Sequence, residues 1–138
     1  MKKQFAILSS VLCALFFGGM LSQVHAQAKS DYKVGGIFPL TGYLSWLGEY
    51  KRKGAQLKVD LINKAGGVNG HALEMIVYDD QSSPEQASKV AQRLVSKDEV
   101  IAMIGTASVP ISGAVASVAN KSKIPTIIGS GYEVDPAK

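Results

Sequence analysis

Apolar residues along the chain form short unbroken runs, separated by stretches in which they recur every three or four positions. Val34-Gly35-Gly36-Ile37-Phe38 before Pro39 reads as a buried strand. Thr41-Gly42-Tyr43-Leu44-Ser45 reads as a loop. Leu47, Tyr50, Gly54, Leu57, Leu61, Ile62 and Ala65 then repeat at helical spacing and predict the face of a first helix. Lys51, Arg52, Lys53, Lys58 and Lys64 fall mainly on its other sides, as a solvated face. Gly66-Gly67 should stop this helix and Asn69-Gly70 should make a tight turn.

Leu73 to Tyr78 predicts a second strand, ending on Asp79-Asp80. Ser83-Pro84-Glu85-Gln86 has the form of a helix start, with Ser as cap, Pro in the first turn and Gln86 closing a capping box. Ala87, Val90, Ala91, Leu94 and Val95 form that helix's buried stripe. Val100 to Ile104 is a third strand, Pro110 opens a third helix facing inward with Ile111, Ala114, Val115 and Val118, and Ile124 to Ile128 is a fourth strand. Continuous apolar strands alternating with helices argue an α/β fold: a parallel open sheet, order 2-1-3-4, with helices on both faces.

The N-terminal end departs from this pattern. Lys2 and Lys3 precede an uncharged stretch from Phe5 to Leu21, followed by Val24-His25-Ala26, with small residues at −3 and −1 of a cut after Ala26. These are the three regions of a secretory signal peptide. The sequence is therefore divided into a leader, 1–26, and a mature segment, 27–138, with the protein exported to the periplasm. Of the 138 residues, 46% are hydrophobic, and the formal charge is +4. Without the leader's two lysines the mature part carries +2, and its apolar share is about 43%, ordinary for a soluble domain. The single cysteine, Cys13, lies inside the leader, so the mature chain has no thiol for a disulfide, soft metal or nucleophile. A charge of +2 with no basic-aromatic stripe predicts no nucleic-acid partner, and cleavage of the leader predicts no stable membrane insertion.

In open parallel sheets the ligand site lies beyond the carboxyl ends of the strands, where the strand order reverses. That places loops 40–47, 105–109 and 129–132 together, with Thr41, Ser45, Trp46, Thr106, Ser108, Ser130 and Tyr132. They supply hydroxyls and aromatics, with no charge before Glu133, and the third helix begins among them with free N–H groups suited to a carboxylate. Ser and Thr are also ordinary loop residues, and either aromatic could fill core instead. Enzyme signatures are weak. No glycine-rich phosphate fingerprint is present, Asp79-Asp80 suits a structural role such as accepting loop N–H groups, and His71 reads as an exposed residue after a turn. No Ser/His/Asp set assembles, and no metal or cofactor is expected.

Val34-Gly35-Gly36-Ile37-Phe38-Pro39-Leu40-Thr41-Gly42, the segment Gly54 to Gly70 with its Gly66-Gly67-Val68-Asn69-Gly70 end, Tyr78-Asp79-Asp80-Gln81 with Pro84-Glu85-Gln86-Ala87, Ile104-Gly105 and Ile124-Pro125-Thr126-Ile127 occur in one order and spacing. Together they resemble the solute-binding proteins of branched-chain amino acid (Leu/Ile/Val-type) ABC transporters, with the type I periplasmic-binding fold. The resemblance spans nearly all of residues 32–135. It implies two α/β lobes that close on a ligand, with residues 27–138 as the incomplete N-terminal part of lobe I and strand four at an open edge. It implies ligand contacts at Val109, Ser130 and Tyr132, with Trp46 and Leu47 at the first-loop aromatic position; Thr106, Ser108 and Gly131, from the same loops, complete the candidate ligand-binding set. Two positions depart from the family pattern: Val109 stands where a Ser is expected, and Tyr132 where a Thr-sized residue is expected. The implied function is capture of a small carboxylate ligand, a branched-chain or related amino acid, and its delivery to a membrane permease. Aromatic or other organic acids or amides are the alternative ligands, and a sensory receptor domain of the same fold is the alternative output.

Overall fold

A computed structural model describes residues 31–131. The leader, Cys13 and Tyr132 lie outside the described residues. Four strands and three helices alternate: β1 (Tyr32–Phe38), α1 (Ser45–Lys64), β2 (Leu73–Asp79), α2 (Pro84–Ser96), β3 (Ala102–Gly105), α3 (Val109–Ser122) and β4 (Thr126–Ile128). All pairings are parallel and the strand order is β2-β1-β3-β4, as the sequence predicts. The shared register sets Gly35 beside Met103 and Gly36 beside Ile104, so odd and even positions of β1 face opposite sides.

Residues of α2 and α3 close one side of the sheet. Ile37 and Met103 from the strands meet Ala87, Val90, Ala91 and Leu94 of α2 and Ile111, Val115, Val118 and Ala119 of α3 in a single core. Leu94, Ala91 and Ala87 are wholly enclosed. Removing a side chain of Leu94's size from water contributes roughly 2–3 kcal/mol. The stripe predicted for α2 is thus the buried one. Ser83 caps α2 by accepting from the Gln86 amide at 3.4 Å, and Pro84 occupies the first turn. The capping box does not close, because the Ser83 amide, which Gln86 should have engaged, donates to the Asp80 carbonyl instead (2.9 Å).

The other side of the sheet belongs to α1, and here the predicted helix face is wrong. Tyr50, Leu57 and Leu61 are 70%, 61% and 51% exposed. Of the predicted stripe, Ile62 does face the sheet, but the rest of that face runs through Gly48, Ala55 and Val59. Gly48 fixes this phase: a Cβ there would lie 1.9 Å from the Pro39 carbonyl oxygen, so only glycine lets the helix approach so closely. Lys51, assigned to the solvated side, is turned inward with it.

The end of α1 follows the sequence closely. The Gly66 amide donates to Asn63 O (3.1 Å) and the Gly67 amide to Ile62 O (2.9 Å), the paired bonds of a Schellman motif. Asn69 and Gly70 both take positive φ, 54° and 79°, between the bridged residues Val68 and His71, as a type I′ turn requires. Asn63 then clamps the helix end to β2, donating to Leu73 O and accepting from Leu73 N at 2.9 and 2.8 Å. His71 is not an exposed residue: it is half-buried and stacked on Tyr32, ring centroids 4.3 Å apart.

Candidate functional site

The loops after β1, β3 and β4 all leave the carboxyl end of the sheet, with β1 and β3 as neighbours at the point where strand order reverses. The first loop is shaped from behind by the loop after β2. Asp79 Oδ1 accepts from the amides of Leu40 (2.8 Å), Thr41 (3.2 Å) and Gln81 (2.8 Å), and Oδ2 accepts from the Thr41 hydroxyl (2.6 Å). Burial raises the Asp79 pKa, but these four donors outweigh it and hold the carboxyl below its ordinary range. Ser82 completes the support, donating to Thr41 O at 2.9 Å and accepting from the Leu44 amide ahead of α1 at 3.2 Å. The structural reading of Asp79 holds.

Asp80 is different. It is completely enclosed; Oδ1 accepts from the Ser82 amide at 2.9 Å, and Oδ2 has no partner among the described residues. Burial, with the neighbouring Asp79 charge, pushes its carboxyl up to about 6.

The loops after β3 and β4 are tied together three times. The Gly129 amide donates to Gly105 O at 2.7 Å. The Lys51 ammonium donates to Thr106 O at 2.9 Å and also to Gly129 O. Side chains form the third tie: Thr106 Oγ1 lies 2.6 Å from Ser112 Oγ, which lies 2.7 Å from Ser130 Oγ. Thr106 and Ser112 are both fully buried, and Ser130 is half-buried. Partial burial lowers the Lys51 pKa, while its two carbonyl acceptors are groups that suit an ammonium. Beneath this brace, Phe38, Lys51, Ala55, Ile104, Thr106 and Gly129 contribute to the lining of a cavity of about 350 Å³.

The start of α3 supplies the remaining polar groups. Ser108 has the extended backbone of a cap, φ −144° and ψ 158°, yet its side chain makes no capping bond. Its buried hydroxyl has no partner among the described residues. Pro110 lacks an N–H, so the Val109 and Ile111 amides are the first-turn donors with no intrahelical acceptor. Val109 itself is 51% exposed.

The sequence-predicted residues therefore separate into groups. Thr106 and Ser130 are joined through Ser112. Ser108 and Val109 start α3 beside them in the chain. Trp46, 64% exposed, and Leu47, half-buried, lie in the first turn of α1 at the same end of the sheet. Trp46 does not fill core. Gly131 is exposed at the end of the described chain. Thr41 is spent on Asp79. Two residues were missed: Lys51, hidden by the wrong phase for α1, and Ser112, whose signal is a hydroxyl on the otherwise apolar Ile111–Val115–Val118 stripe. Among the described residues no group of three or more His, Cys, Asp and Glu side chains is placed to hold a metal ion, and no helix is long and apolar enough to cross a membrane.

A family profile described as Periplasmic binding protein matches residues 31–138. The chain is 38% identical over 96 residues to the Leucine-, isoleucine-, valine-, threonine-, and alanine-binding protein of Pseudomonas aeruginosa, covering 70% of this chain and 25% of that protein. It is 35% identical over 119 residues to Leu/Ile/Val-binding protein homolog 8 of Brucella abortus, covering 86% of this chain and 29% of that one. Among solved structures, the branched-chain amino acid transporter substrate binding protein LivJ of Streptococcus pneumoniae, in complex with isoleucine, superposes with a TM-score of 0.72 at 35% identity, over 77% of this chain and 30% of that one. The leucine binding protein LivK of Thermotoga maritima gives a TM-score of 0.66 at 29% identity, over 72% and 28%. The chain thus spans between a quarter and a third of the length of these proteins.

Proposed function

The chain belongs to the periplasmic binding protein family, and we propose that it is the ligand-gripping part of an exported receptor for a small carboxylate, a branched-chain or related amino acid, which it passes to an ABC transporter permease. One observation carries this reading. The carboxyl end of the sheet carries the first-turn amides of α3, the half-buried Ser130 hydroxyl after β4 and the buried, unpartnered Ser108 hydroxyl, with no charged side chain in the loops 105–109 and 129–131. Amide donors at a helix start suit a carboxylate. Trp46 and Leu47 supply apolar surface for a side chain. The names of the relatives support the same ligand class. Export follows from residues 1–26, with cleavage after Ala26, and the role is binding rather than turnover. Residues 27–138 serve as part of one lobe, and closure on the ligand is a shift between open and closed populations.

Val109 favours a second ligand class. Its isopropyl group replaces a hydroxyl that would bind an amino acid's polar end, which suits aromatic or other organic acids. Calorimetric titration of the purified full-length protein against branched-chain amino acids, phenylalanine and benzoate tests both readings. Saturable binding to at least one is expected; no binding to any small acid overturns the assignment.

A further inference from the structure

We infer that Ser112 is a positioning residue that fixes the proton direction of the Ser130 hydroxyl, so that Ser130 meets the ligand as a hydrogen-bond donor and selects an acceptor group such as a carboxylate oxygen. The inference rests on the binding reading above and adds a residue and a polarity to it.

The argument is a proton count. Thr106, Ser112 and Ser130 are linked in a row at 2.6 and 2.7 Å, with one hydroxyl proton each. Thr106 is fully enclosed, and Ser112 Oγ is the only partner of its hydroxyl among the described residues. A buried hydroxyl proton without an acceptor costs about 1–3 kcal/mol, so Thr106 donates to Ser112. Ser112 is equally enclosed, and its own proton has one remaining acceptor, Ser130. Ser130 therefore accepts on its inner side. Its proton points away from the core, at the carboxyl end of the sheet where the α3 amides also stand. The reverse order would strand the Thr106 proton in the core. Successive donation in one direction also polarises the last hydroxyl, which strengthens it as a donor. Lys51 keeps the two loops in register by holding Thr106 O and Gly129 O, and it leaves the hydroxyls free for this row.

The test uses the full-length protein with four acids, L-leucine, L-isoleucine, L-phenylalanine and benzoate, each paired with its amide. For the acid that binds, Ser112→Ala should weaken affinity by about tenfold, while the paired amide, whose neutral oxygen accepts a weaker hydrogen bond than a carboxylate, changes by less than about threefold. Ser130→Ala should do the same, and the double variant should add nothing further. General loosening of the loops would weaken acid and amide alike, and an unchanged ratio in folded Ser112→Ala overturns the inference while leaving the binding reading intact. Binding of none of the eight probes by wild type removes the binding reading, and this inference with it. Hydroxyl proton resonances of the ligand-free wild type give a check that needs no variant: slow exchange at Thr106 and Ser112 with fast exchange at Ser130 is expected, and a protected Ser130 proton overturns the inference.

Discussion

The two faces of the sheet are built differently. Against α2 and α3 the sheet is closed: Ile37, Leu94, Ile111 and Val115 are at most 1% exposed. Against α1 it is half covered. A groove of about 230 Å³ remains between Ala55, Val59 and Ile62 of the helix and Val34, Met75 and Ile104 of the sheet, and Ile127 on β4, at its edge, is 69% exposed. Helical periodicity identifies the buried stripe wherever a helix has one apolar side, and it misleads where a helix has two. On α1 the bulkier apolar residues, Trp46, Tyr50, Leu57 and Leu61, point outward, and the smaller Gly48 and Ala55 lie against the sheet.

The largest expected effects come from the closed face. Leu94→Ala leaves a cavity in a fully enclosed core and should cost about 2–5 kcal/mol in urea unfolding. Ile127→Ala, the same kind of truncation on the open face, should cost less than about 1 kcal/mol, because most of that side chain is already in water. Equal losses would break the comparison. Gly48→Ala comes next. The added methyl would meet the Pro39 carbonyl, which is backbone and cannot swing aside, so a loss of about 2–3 kcal/mol is expected despite alanine's better helix propensity.

How much of this was legible in the sequence varies with the number of competing signals. The α2 stripe, the Gly66–Gly67 stop and the Asn69–Gly70 turn each depended on one local rule with nothing opposing it, and strand order followed the general topology of alternating strands and helices. The phase of α1 depended on Gly48, whose meaning is a close approach to Pro39 that only three dimensions reveal. Lys51 followed that error, since a lysine on a helix reads as solvated until its carbonyl acceptors are known. Among the candidate site residues, the loops that carry Ser108 and Ser130 were legible from topology. Ser112 was not, because its hydroxyl is satisfied by residues six and eighteen positions away.

Asp80 gives a pH-dependent difference between the two carboxylates after β2. Its folded pKa, about 6, lies above the ordinary carboxylate value, so its contribution is fully present below about pH 4 and declines as pH rises through 6. Asp79 is shifted the other way, and its contribution is lost as pH falls below the ordinary carboxylate range. Asp80→Asn keeps an oxygen for the Ser82 amide and removes the buried charge. Unfolding measured from pH 4 to 7 should then lose the decline shown by wild type, a difference on the order of 2 kcal/mol at pH 7. A decline that persists in the variant would assign it to another group.

The smallest effect is the most direct probe of the open side of α1. Gly54 lies in the middle of the helix, one turn from Tyr50 and three residues from Leu57, and a Cβ built there meets nothing within 4 Å. Gly54→Ala removes backbone freedom from the unfolded chain and adds helix propensity without a clash, so a gain of about 0.5–1 kcal/mol is expected. Gly48→Ala, six residues earlier on the same helix, has the opposite expected sign. The pair isolates surroundings from propensity, because both exchanges are chemically identical. If Gly54→Ala instead destabilises the full-length protein, another surface packs within a methyl's reach of Gly54, and the outward stripe of α1 is a buried interface rather than an exposed face.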